Sequence, residues 1–161
     1  IKFAKFRNTN QNINFHCENI LSKNFNLKID VEFITIFGTA VTIEDLELFI
    51  DRVMSFNPKL IMLNDVINEN GLDLRCGYKK NFNDEFNFSY NIRSFSTWKR
   101  LISHFKNYSI NFEIYKMDTI LKPNKDPIRN YHSNLDGEII QRNGLDLILR
   151  PYNIYIEKKN N

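Results

Sequence analysis

Between residues 27 and 37 the apolar side chains of Leu27, Ile29, Val31 and Phe33 stand two apart with polar residues between them, the period of a strand with one buried face. Gly38 ends that run. From Thr42 the spacing changes: Leu46, Phe49, Ile50, Val53 and Met54 follow at three and four residues, which predicts a helix over residues 43–56, capped by Thr42 and stopped at Asn57-Pro58. Residues 59–67 read as a strand, 68–71 as a turn, and 72–80 as the antiparallel partner of the strand before it. The order then recurs. Phe86, Phe88 and Tyr90 alternate as in a strand; Trp98, Leu101, Ile102 and Phe105 make a second apolar helical stripe behind Ser96 as its cap; residues 110–121 resume as a long strand. Residues 122–137 contain Pro123 and Pro127 and little periodicity, the signature of a long loop. Residues 138–142 and 145–157 read as a terminal hairpin, with Arg150-Pro151 marking a bulge or a strand edge.

One short segment repeats without change. Asn70-Gly71-Leu72-Asp73-Leu74 returns as Asn143-Gly144-Leu145-Asp146-Leu147, each copy after a strand, helix and strand, and Asn-Gly tolerates the positive φ of tight turns. The expected fold is therefore α+β in a single domain spanning residues 1–161. It has a mostly antiparallel sheet with two amphipathic helices on one face, arranged as a pseudo-repeat of two βαββ units over about residues 27–80 and 85–157. Residues 8–26 fit neither unit, and Ile13, Phe15, Ile20 and Leu21 are their candidate anchors to the sheet.

Composition narrows the class. At 161 residues, 42% hydrophobic and 25% charged, the chain is long and apolar enough to fold around its own core without metal or disulfide support. Its 14 phenylalanines and many asparagines, with alanine only at Ala4 and Ala40, point to biased coding rather than to chemistry. Its apolar runs are too short to span a bilayer, and charges interrupt residues 1–7, so neither a membrane span nor a secretion signal is expected. Cys17 and Cys76 lack metal-type spacing and are expected as free thiols in a reducing cytoplasm, one long-range disulfide being the alternative. The net charge of +3 hides an asymmetry: residues 42–75 hold three Lys/Arg against seven Asp/Glu, residues 76–135 ten against five. Such blocks either attract each other within the fold or present two oppositely charged surfaces.

The candidate chemistry is sparse. His16, His104 and His132 stand apart with no metal-ligand spacing, and the five glycines form no phosphate-binding loop, so no metal and no cofactor is expected. Adjacent His16 and Cys17 would point to opposite faces of a strand. A hydrolase using His132 with Asp136 or Glu138 would need a cleft joining those loop residues, and the expectation is that the chain is not an enzyme. Two surfaces remain. Glu44, Glu47 and Asp51 form an acidic stripe opposite the apolar stripe of the first helix, suited to a basic partner, and the long loop adds Arg129, Tyr131 and His132. The expected function is a protein-binding inhibitor, a bacterial immunity or antitoxin protein that covers a cognate protein toxin. The alternative is a nucleic-acid-associated accessory protein of viral or phage origin. It would use Lys99, Arg100 and Lys106 on the second helix and the basic-aromatic segment of residues 2–7.

Overall fold

The computed structural model describes residues 13, 16, 18–79, 81–85, 88–115, 122, 131–142 and 148–160. Strand β1 (Phe33–Phe37) leads through a 3-10 turn at Ala40–Thr42 to helix α1 (Leu46–Met54) and strand β2 (Leu60–Asn68). Strands β3 (Leu74–Tyr78) and β4 (Phe88–Ser94), helix α2 (Phe95–Ser103) and strand β5 (Tyr108–Ile114) follow. The chain closes with β6 (Tyr131–Leu135), β7 (Glu138–Arg142), the short β8 (Ile148–Leu149) and β9 (Pro151–Lys158). This is an α+β fold with a mixed main sheet, mostly antiparallel, and a small antiparallel second sheet.

The main sheet runs β3-β4-β2-β9-β5, with β1 paired to the other half of the β2 edge that β4 occupies. β1 and β4 lie parallel to β2, while β9 is antiparallel to both of its neighbours, β2 and β5. Alternation along β2 buries Ile61, Leu63, Asp65 and Ile67; along β9 it buries Tyr152, Ile154 and Ile156. Against that one face pack Phe49, Ile50 and Val53 of α1 and Trp98, Leu101 and Ile102 of α2, so both helices cover the same side and share one core. Ile20 and Leu21 pack against this core, whereas Ile13 is half exposed and Phe15 lies outside the described residues.

Several expectations are corrected. The first strand is shorter than 27–37 and has the opposite phase: Ile34 and Ile36 face the core while Phe33 and Phe37 are 62% and 60% exposed. Residues 33–37 are apolar at nearly every position, so either phase reads as alternation, and pairing with β2 selects one. Helix α1 starts at Leu46, capped by Asp45, whose Oδ1 accepts from Leu48 N at 2.9 Å; Thr42 instead donates its hydroxyl to Thr39 O and closes the preceding turn. Helix α2 is capped by Ser94 rather than Ser96.

The expected hairpin between β2 and its successor is absent, because β3 pairs with β4 and β4 occupies the β2 edge at that end. Asn70-Gly71 lies in the connection, with Gly71 at φ 82° and Asn68 donating its side-chain amide to Leu72 O. The loop expected over 122–137 ends in a strand. β6 pairs with β7 across Asp136-Gly137, whose φ values of 51° and 87° are those of a two-residue hairpin turn. The terminal hairpin also divides: β7 pairs with β6 and β8 in a three-stranded sheet, and at Pro151 the chain crosses into the main sheet as β9. The two halves share the order strand, helix, strand but do not build alike. β1 and β2 are neighbours, whereas β4 and β5 are separated by β2 and β9. The second Asn-Gly copy, residues 143–147, falls outside the described residues.

Candidate functional site

The crossing from β8 to β9 brings the β6–β7 hairpin against the ends of β5 and β9. Tyr115 N donates to Pro151 O at 2.9 Å, and Ile67 N donates to Arg150 O at 3.2 Å, which fixes the step between the two sheets. A recess of about 390 Å³ opens there, lined by Ile114, Tyr115 and Pro151 from the main sheet and His132, Glu138, Ile139 and Gln141 from the hairpin. Its volume lies in the range of pockets that hold small ligands or single anchoring side chains.

The lining combines exposed apolar groups with buried polar ones. Ile114 is 49%, Tyr115 42% and Ile139 40% exposed, while His132 and Gln141 are only 5% and 8% exposed. His132 and Gln141 are register partners across the hairpin and so share a face. Beside the recess, Glu138 and Glu69 both approach Arg150, at 3.5 and 3.7 Å, and Tyr152 donates its hydroxyl to Glu69 at 2.6 Å. Burial, with the Glu69 hydrogen bond and charge adding to it, pushes the Tyr152 phenol up to about 12. Tyr152 is thereby a neutral donor at any ordinary pH.

The residues expected at the site are distributed over three places. Tyr131 and His132 sit on β6 rather than in a loop, His132 in the recess; Arg129 lies outside the described residues. Glu138 shares the recess lining with His132, while Asp136 is taken up by the hairpin turn. On the helical layer, Glu44, Glu47 and Asp51 are all exposed, but Glu44 pairs with Arg75 and Glu47 with Arg100 at 3.0 Å. Arg93 also donates to the carbonyls of Ile43 and Glu44. Glu44 and Arg75 both belong to the acidic block, so the contacts that join it to the basic block are Glu47–Arg100 and those of Arg93, and Arg100 leaves the α2 basic face to Lys99 and, just beyond the helix, Lys106, both exposed.

A larger recess of about 540 Å³ lies between the extended residues 25–32 and the end of α1, including Arg52, Phe56 and Asn57. Its charges are mixed: Lys28 and Arg52 stand with Asp30 and Glu32, and Glu32 is already paired with Lys59. Phe25 closes against Phe56 edge-on at 6.1 Å. Among the described residues, no group of three or more His, Cys, Asp or Glu side chains gathers as a metal site would require, and no helix is long and apolar enough to cross a membrane. Cys76 is a half-buried free thiol; Cys17 lies outside the described residues.

Ile114, Tyr115, Ile139 and Gln141 were missed by sequence reasoning. The one available signal was Asp136-Gly137, a hairpin dipeptide that predicts two paired strands where a loop was expected. Compared with known proteins, the chain is matched by no family model and by no curated protein.

Proposed function

We propose that this chain is a protein-binding inhibitor of the bacterial immunity or antitoxin kind, which neutralises a cognate toxin domain by direct contact. The observation that carries the reading is the recess beside the β6–β7 hairpin, where three large apolar side chains stand 40% or more exposed around a polar floor. Exposed apolar groups gathered at one place favour a protein partner, and a pocket that takes an anchoring side chain is where interfaces concentrate their affinity. Glu47 and Asp51 of α1, with Glu44 just before its cap rather than on the helix, add steering. The Glu44–Arg75 and Glu47–Arg100 pairs have side chains 57–66% exposed. Such pairs contribute only about 0–1 kcal/mol, so the acids can turn to a basic partner at little cost, with Asp51 beside them.

The test is capture of a partner on the purified chain, a high-salt wash, and mass spectrometry, followed by expression of the captured protein alone and together with this chain. The expected result is one stoichiometric protein that is toxic alone and harmless when co-expressed. An Ile139→Asp variant with unchanged circular dichroism loses the protection. Recovery of nucleic acid alone, released as salt rises, overturns this reading and moves the function to Lys99, Arg100 and Lys106.

A further inference from the structure

Among the outer strands of the main sheet, β1, β3 and β5, it is β1 that carries no charge. β3 holds Arg75 and β5 holds Glu113, the usual guards against strand-to-strand association. β1 reads Phe33-Ile34-Thr35-Ile36-Phe37, with neither charge nor proline, and its register with β2 runs without a bulge. Among the described residues it pairs with β2 alone. Glu32 O accepts from Leu60 N at 3.1 Å and Gly38 N donates to Asn64 O at 3.2 Å, so the even-numbered positions turn their backbone groups toward β2. Alternation then turns the N–H and C=O groups of Phe33, Thr35 and Phe37 outward along an open edge. Ile34 and Ile36 face the core, which leaves those same three side chains on the sheet face away from the helices. All three are exposed, the two rings at 62% and 60%.

This strand reads the same in both directions. Set antiparallel to a second copy about a two-fold axis through Thr35, it places Phe33 opposite Phe37, Ile34 opposite Ile36 and Thr35 opposite itself. The outward backbone groups of Phe33, Thr35 and Phe37 fall at the positions where an antiparallel ladder exchanges both main-chain hydrogen bonds. Aromatic pairs and Thr–Thr pairs are among the favourable cross-strand combinations. Charge permits the arrangement: the nearest charge in the chain, Glu32, is paired with Lys59 and falls opposite Gly38 of the second copy, so no charge meets its like. We propose that the chain forms a two-fold dimer in which β1 pairs with β1 of a second copy and the main sheet runs on across the axis. The area sets its strength. A phenylalanine side chain presents about 150–250 Å², so four rings about three-fifths exposed contribute about 500 Å², and two short strands leave the total below the roughly 1,200 Å² of a standard interface. The dimer is therefore reversible, with a dissociation constant of about 10–100 μM. The hairpin recess is lined by the end of β5 and the start of β9, on the other side of β2 from this edge, so the pairing leaves it uncovered.

The experiment is analytical ultracentrifugation of the 161-residue chain over about 1–500 μM, beside the T35K and T35E variants. Thr35 is exposed, so both changes are fold-neutral, which circular dichroism checks. The native chain is expected to pass from monomer to dimer and to stop there. Each variant alone should associate about tenfold more weakly or less still, because its new charge faces its own copy, and an equimolar mixture of the two should dimerise again as opposite charges meet. Only a residue on the axis behaves in that way. A second measurement needs no variant: in a native sample mixed from isotope-labelled and unlabelled chains, the α-protons of Ile34 and Ile36 should show a contact between chains, since these residues form the close, non-hydrogen-bonded pair of this register. A chain that stays monomeric up to about 500 μM overturns the proposal, as does growth past the dimer. So does a dimer that T35K leaves unchanged, or one without the Ile34–Ile36 contact.

Discussion

Asp65 is the residue with most at stake in the core. It sits on the buried face of β2 between Leu63 and Ile67, 3% exposed, with Oδ1 accepting from its neighbour Val66 N at 2.7 Å and Oδ2 buried without a hydrogen-bond partner. Burial pushes its carboxyl from 3.8 up to about 7, against the downward pull of the Val66 hydrogen bond and the Arg93 charge. The folded chain thus keeps this proton to near neutrality, whereas the unfolded chain releases it near 3.8. Between those values the folded state binds more protons, so stability contributed by the protonated group is full below the unfolded value and is lost as pH rises through the folded one. Each tenfold in proton affinity corresponds to about 1.4 kcal/mol, which makes the loss about 4 kcal/mol. Asp65→Asn keeps an acceptor for Val66 N–H and removes the charge, while adding a buried amide N–H that needs a partner. The expected outcome is a urea midpoint nearly independent of pH over about 5–8, and a gain of about 1–3 kcal/mol over the native chain at pH 8. A native midpoint that stays level or rises over that range would show the carboxyl to be ionised and satisfied in the fold.

At the scale of elements, periodicity and capping were legible to different degrees. The apolar stripes of both helices were readable because five residues of α1 and three of α2 must face one core, and all eight are buried. The caps were not, since Ser94, whose Oγ accepts from Thr97 N, is itself held by Asp73, which is 21 residues away in the chain. Asp73 Oδ1 accepts from Ser94 N at 2.8 Å and Ser94 Oγ at 2.9 Å, and Oδ2 accepts from Thr97 Oγ1 at 2.8 Å, placing a carboxylate at the start of α2. Partial burial pushes that carboxyl up, but the hydrogen bonds from Ser94 and Thr97 together outweigh it and hold the group below its usual range. Its contribution is therefore present above 3.8 and fades as pH falls through the lower folded value. Asp73→Ala is expected to cost about 1–2 kcal/mol at neutral pH and much less in acid, measured as urea midpoints at both. A loss of the same size at both pH values would show that the charge of the carboxylate does not act there. Strand pairing was illegible for a related reason. Local alternation says which residues form a strand, but β3 finding β4, and β9 finding β2 and β5, is decided by edges that only exist once the sheet assembles.

Across the whole molecule the last strand holds the middle of the sheet. β9 lies between β2 and β5 and places Tyr152, Ile154 and Ile156 under the two helices, with the Tyr152 ring edge-on to Phe95 at 5.1 Å and Phe95 edge-on to Phe112 at 4.9 Å. Without it, β2 loses one edge partner and β5 loses the strand it is paired to. The core-facing side chains of both would then stand in water, together with backbone groups that the ladder satisfies. The same strand anchors the recess, because Pro151 opens β9 and forms one wall. The recess and completion of the fold are therefore coupled through β9: the β6–β7 hairpin has a sheet to dock against only after β9 has inserted. Ending the chain at Arg150 is expected to abolish the cooperative thermal transition and to release ordered packing around Trp98, seen as loss of its near-ultraviolet dichroism, rather than to yield a smaller folded core. Removing only Asn160 and Asn161, which lie beyond the Lys159 N to Asn107 O hydrogen bond at 2.8 Å, should leave the transition intact. Ile154→Asp in the untruncated 161-residue chain separates strand insertion from chain length. A burial at 0% exposure cannot accept an unpaired charge, so this variant should behave as the truncation does, and a folded Ile154→Asp protein would show that the central position of β9 is dispensable.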